Sequence, residues 1–200
     1  MSTASRIPLV CCLGALIAAV PAPARADDNL LRGPHPFLRQ NALGVFVLAA
    51  SGQGDSMGGG KIVFDYGYKL TGGTMPAWLD LAVGVQRATC MSNGTTACSQ
   101  QTGNTFETLT GLKWKFATPI PLVPFVGVST GFAFGFPNGA SAGMGIMVRA
   151  VGGASYFLTD WLGFSLQVGY SLGRLGYDNT FSGSHTYAVF DLGGGVEFQF

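Results

Sequence analysis

The feature that most restricts this chain is a two-residue period. From about residue 41 to the last residue, apolar side chains return at every second position, and clusters of Gly, Asn, Ser and Pro separate one such run from the next. That period belongs to strands, whose side chains alternate between two faces; helices repeat every three or four residues. Eight strands are predicted, at about 41 to 52, 60 to 70, 78 to 90, 104 to 117, 123 to 136, 144 to 158, 161 to 176 and 185 to 200. Each is at least as long as the roughly 9–11 residues with which a tilted strand crosses a bilayer.

The contents of the two faces say which way they point. The second strand sets Ile62, Phe64, Tyr66, Tyr68 and Leu70 against Val63, Asp65, Gly67 and Lys69. The third sets Leu79, Leu81, Val83 and Val85 against Asp80, Ala82, Gly84 and Gln86, and the fourth sets Leu112, Trp114 and Phe116 against Gly111, Lys113 and Lys115. In the seventh, Leu162, Phe164, Leu166, Val168, Tyr170 and Leu172 oppose Ser165, Gln167, Gly169 and Ser171. A small barrel has little room inside, so the bulky face is expected outward and the small or polar face inward. That is the reverse of a soluble barrel and the arrangement of a membrane one. Composition agrees: 10% of residues are charged, against about 25% in soluble domains, while aromatics reach 12% and glycines number 31. The first strand has the weakest pattern, because Val45, Phe46, Val47 and Leu48 run without alternation and leave its register open. The stretch "PIPLVPFVGVSTGFAFGFP" at 119 to 137 is long and uncharged enough to suggest a membrane helix, but Pro121, Pro124 and the alternate small residues from Gly127 to Gly135 suit a strand better.

The start of the chain places it outside the cytoplasm. Arg6, the apolar run "IPLVCCLGALIAAV" and the small residues of "PAPARA" form an export signal, with cleavage expected after Ala26. Residues 1–26 are then the signal peptide, 27–40 a polar periplasmic lead-in and 41–200 the barrel. The remaining 174 residues carry nine basic and ten acidic side chains, a balance that leaves no electrostatic case for nucleic acid. Export permits a disulfide, and Cys90 and Cys98, separated by "MSNGTTA", are expected to form one. No His or third Cys stands near them to complete a metal site, and neither metal nor cofactor is expected.

The connections supply a topology. Links from odd to even strands, at 53–59, 91–103, 137–143 and 177–184, are mostly longer and rich in Gly, Ser and Asn, whereas "TGGTMPA", "TPIPLV" and "LTDW" are tighter or carry proline. With both termini periplasmic the longer set faces outward, as bacterial outer-membrane barrels have it. Trp78 and Trp161 at strand starts and Trp114 near a strand end then gather close to the periplasmic rim with Phe198 and Phe200, forming an aromatic girdle.

The export signal, the unit "YFLTDWLGFSLQVGYSLG" at 156–173, the strand "VPFVGVSTGFAFGF" at 123–136 and the ending "VFDLGGGVEFQF" together resemble the small eight-stranded outer-membrane barrels, the group of OmpA transmembrane-domain, OmpX-like and opacity-type proteins. The resemblance spans residues 41–200 and is one of pattern. It implies an all-β, eight-stranded antiparallel up-and-down transmembrane β-barrel in the bacterial outer membrane, with outer-membrane lipids as surroundings. It further implies that Val196, Phe198 and Phe200 serve as the signal read by the outer-membrane assembly machinery.

Chemistry-bearing residues are few. The inward positions collect Lys69, Lys113, Lys115 and Arg149 with Asp65, Asp80, Glu107, Asp191 and Glu197, which are expected to pair, because unpaired charge away from water is expensive. Eight strands enclose a space just wide enough for side chains, so a plugged lumen is expected, with a narrow channel or small apolar solute transporter as the alternative. A third reading, an outer-leaflet lipid-modifying enzyme, would draw on Ser184 and His185 with Ser182 and Asp178. Adjacent strand residues face opposite ways, however, and "FSGSHTY" offers no oxyanion hole, so no enzyme is expected. "GQGDSMGGG" at 52–60 lacks the Lys and Ser/Thr of a phosphate loop, and the glycines at 193–195 are expected to make room for side chains opposite them. The function expected is structural or surface-interacting, with loops 53–59, 91–103 and 177–184 as candidate contacts for an extracellular ligand.

Overall fold

The computed structural model of the chain describes residues 37–52, 58–89, 103–137, 142–176 and 184–200, with backbone alone at 88–89, 137, 176 and 184–185. Eight strands follow in order: β1 (Asn41–Gly52), β2 (Gly58–Lys69), β3 (Ala77–Thr89), β4 (Gly103–Lys115), β5 (Leu122–Pro137), β6 (Gly143–Phe157), β7 (Leu162–Gly176) and β8 (Ser184–Gln199). Every predicted boundary falls within two residues of an observed one. Each strand pairs antiparallel with its sequence neighbours, and β8 closes on β1 to complete the barrel.

Closure fixes the stagger. Following paired residues once around, from Ala42 through Gly67, Asp80, Gly111, Ser129, Arg149, Ser171 and Val189, returns to β1 at Gly52, ten residues above the start. The strands therefore tilt strongly, and at about 3.3 Å per residue and a tilt near 40° the shortest, of 12 residues, rise about 30 Å. That height matches the hydrocarbon core of a bilayer.

One end of the barrel carries the start of β1, the end of β8 and the three turns at 70–76, 116–121 and 158–161; we call it the terminal end. The turn into β7 is held by the Thr159 hydroxyl, which accepts from the Leu162 amide at 3.0 Å. Gly73, at φ 95°, makes the bend between β2 and β3.

The register of β1, left open by its sequence, puts Leu43 and Val47 outside and Phe46 and Leu48 inside. Two bulky side chains fit there because β8 answers with glycine: Phe46 pairs with Gly195 and Leu48 with Gly193. A Cβ at Gly195 would stand 2.7 Å from the Phe46 ring, and one at Gly44 would stand 2.5 Å from it. The interior is thus more apolar than a strict small-or-polar face predicts. Phe46, Leu48, Val63, Leu109, Met147, Tyr187 and Val189 pack in one cluster, and Leu38, Ala42, Trp78, Val123 and Phe157 in a second. Each side chain buried from water in this way contributes on the order of 1.5–3 kcal/mol.

Candidate functional site

The interior charges form two networks. In the first, Lys61 from β2 meets Glu107 from β4 at 2.6 Å and Asp191 from β8 at 3.4 Å, while Arg149 from β6 donates to Asp191 at 2.7 Å. The Tyr187 hydroxyl donates to Glu107 at 2.5 Å and lies 3.2 Å from Gln86. In the second, nearer the terminal end, Lys113 pairs with Asp65 and, at 2.7 Å, with Asp80, and its ammonium lies 5.5 Å from the Phe125 ring centre. Lys115 pairs with Glu197, whose carboxylate also accepts from Ser155 and from Gln199, both at 2.8 Å. The void among Asp65, Asp80, Lys113, Lys115 and Glu197 is ≈ 10 Å³, room for on the order of one water.

Strand parity explains the assembly. Alternation aims every second residue inward, and the stagger of ten carries inward residues of distant strands to one level. Five carboxylates, Asp65, Asp80, Glu107, Asp191 and Glu197, meet four cations, and each has an oppositely charged partner. Burial makes such pairing obligatory: an ion taken out of water costs several kcal/mol unless a partner compensates it.

Two expected placements are corrected here. Lys69 does not join the interior network; it is only partly buried at the end of β2, where its ammonium donates to the Leu38 carbonyl at 2.6 Å. The fourth interior cation is Lys61, wholly buried, whose parity with Val63 and Asp65 was the available signal. Trp78 is not in the rim girdle. It shares parity with Asp80 and Ala82, points inside, is 0% exposed, and lies beneath the Lys115 ammonium at 4.4 Å from its ring centre. Trp161 does lie on the outer wall, stacked on Phe198 with ring centres 6.2 Å apart, and Trp114 is half-buried next to Leu112 of the same outward face. Phe200 is exposed at the terminal end and Val196 half-buried on the outward face of β8. Cys90, Cys98, Asp178, Ser182, the side chains of Ser184 and His185, and loop residues 53–57, 91–102 and 177–183 lie outside the described residues.

The outer wall has its own pattern. Leu43, Val47, Phe64, Leu81, Leu112, Val128, Phe132, Ile146, Phe164, Leu166 and Leu192 are exposed, at least one on each of the eight strands. Among the described strand residues, the outward-facing charges are Arg87 on β3 and Arg174 on β7, both close to the end opposite the termini. An exposed apolar area of this extent far exceeds the few hundred Å² that a soluble monomer tolerates.

No protein-family model matches the chain, and no curated protein matches it either. Among solved structures it is similar to Neisserial surface protein A (NspA), with a TM-score of 0.59 and 17% identity over 80% of this chain and 96% of that one. At this identity the likeness is one of fold, and the fold shared with Neisserial surface protein A is a closed, eight-stranded, antiparallel up-and-down barrel.

Proposed function

We propose that this chain is an integral barrel of the bacterial outer membrane with a structural or surface-interaction role, its lumen filled by paired side chains and its termini in the periplasm. The observation that carries this reading is the outer wall: an apolar belt around the whole barrel, in which the outward-facing charges among the described strand residues, Arg87 and Arg174, stand near the end opposite the termini. Strands can cross lipid only when closed into a barrel, because every backbone N–H and C=O must be satisfied without water. The likeness of fold to a surface protein supports the same location.

The role is not catalytic. Interior charges engaged with one another are spent on packing, which leaves specificity to the outer loops around 53–59, 91–103 and 177–184, the second of them bridged by Cys90 and Cys98. The C-terminal residues Val196, Phe198 and Phe200 are read by the assembly machinery. The test is twofold. Purified protein in lipid vesicles should migrate faster unheated than boiled, and planar bilayers containing it should show no steady conductance. Single mobility would refute the membrane barrel, and steady channels would refute the filled lumen.

A further inference from the structure

The segment before β1 is polar and has no period, yet it is bound tightly across the terminal mouth. Leu38 is 2% exposed and packs in one cluster with Ala42 of β1, Trp78 of β3, Val123 of β5 and Phe157 of β6. Phe37 stacks on Phe157 with ring centres 6.0 Å apart. The backbone is tied on both sides of these contacts. The Arg39 amide donates to the Gln199 side chain of β8 at 2.9 Å, and the Leu38 carbonyl accepts from Lys69 of β2. Gln40 exchanges bonds with the Lys69 backbone at 2.7 and 2.9 Å. Arg39 also pairs with Asp160 in the turn before β7. Immediately beside the strap, Asn41 and Phe200 exchange backbone bonds at 2.9 and 3.0 Å, closing the seam between the first and last strands.

We propose that Phe37–Gln40 is a latch that sets only after the barrel has closed, and that it governs how fast the barrel opens rather than how fast it forms. The reasoning is one of assembly order. The seat for Leu38 is built from β1, β3, β5 and β6, and the strap's backbone ties reach β2 and β8, so this binding site is not complete until the seam is made. Four residues cannot organise strands separated by more than a hundred positions, whereas an assembled rim can organise four residues. Interactions absent from the transition state change the unfolding rate and leave the folding rate nearly untouched. The apolar seat is the effective part, because an exposed pair such as Arg39–Asp160 contributes little.

The test uses the full mature chain folded into phosphatidylcholine vesicles, with folding and urea-driven unfolding rates measured separately. Leu38→Ala should unfold at least about ten-fold faster and fold within about two-fold of the parent rate, as expected of a cavity at a late-forming site. Arg39→Ala should leave both rates within about two-fold. The milder Leu38→Val should fall between parent and Leu38→Ala in unfolding rate. Folding slowed as much as unfolding is accelerated, a Leu38→Ala chain that never closes, or an unchanged unfolding rate would each overturn the proposal.

Discussion

Asp191→Asn removes the charge at the centre of the first interior network while keeping the volume of the side chain. Asp191 is fully buried, takes a 2.7 Å bond from Arg149 and stands 3.4 Å from Lys61. After the substitution Lys61 and Arg149 face Glu107 alone, and a neutral network becomes one with a net positive charge. Removing one partner of a buried ion pair costs about 3–5 kcal/mol. The lower end is expected here, since the Asn carbonyl can still accept from Arg149 and Lys61 keeps Glu107 at 2.6 Å. A loss of about 3 kcal/mol lowers the folding constant by about two powers of ten. Equilibrium urea unfolding in lipid vesicles, read by the mobility of folded and unfolded bands, measures it. The companion is Arg149→Gln combined with Asp191→Asn, which restores neutrality and should recover about half of the loss, a coupling that a double-mutant cycle isolates. A single variant within about 0.5 kcal/mol of the parent, or a double variant as unstable as the two singles added, would refute the claim that these charges hold one another.

Gly169→Ala would place a Cβ 2.5 Å from Asp191 Oδ1 and 2.7 Å from Arg149 Nη2, and overpacking of this kind should cost about 1–3 kcal/mol in the same unfolding assay. Brominated lipid should quench Trp114 and Trp161 and leave Trp78 emission intact, so a Trp78→Phe variant should lose the protected component and a double Trp114→Phe, Trp161→Phe variant the quenched one. Leu166→Arg, at the most exposed apolar position of β7, should destabilise the barrel in vesicles by about 2–4 kcal/mol, whereas Arg174→Leu should stay within about 1 kcal/mol of the parent.

Alternation made most of the barrel readable in advance, because a period of two is a property of each strand alone. The charged interior positions on β2 to β8 followed from parity, and so did the outward aromatic residues on the same strands. Trp78 was expected on the rim from its place at a strand start, although parity with Asp80 turns it inside; its height along the strand and its facing are independent. Lys61 lies inside the second strand as predicted at 60 to 70, and its parity with Val63 and Asp65 turns it inward near the far end of β2. Lys69 has inward parity but stands at the strand's terminal end, where the Leu38 carbonyl, rather than a lumen carboxylate, lies within reach. The register of β1 could not be read locally, since Phe46 and Leu48 are admitted by glycines nearly 150 positions away. The strap was invisible for the same reason: nothing in "PHPFLRQ" has a period, and its seat exists only in the closed molecule.

The three glycines of β8 act as a gauge for the circumference. In the observed register Phe46 faces Gly195 and Leu48 faces Gly193. A slip of two residues keeps every side chain on its proper face, so facing alone would not reject it. It would, however, bring Leu48 against Asp191 when the seam moves one way, and Phe46 against Glu197 when it moves the other. Either error forces a bulky hydrocarbon onto a carboxylate that already has a cation to hold. The stagger of ten, and with it the width of the barrel, is therefore selected at the seam by where two large side chains find nothing in their way.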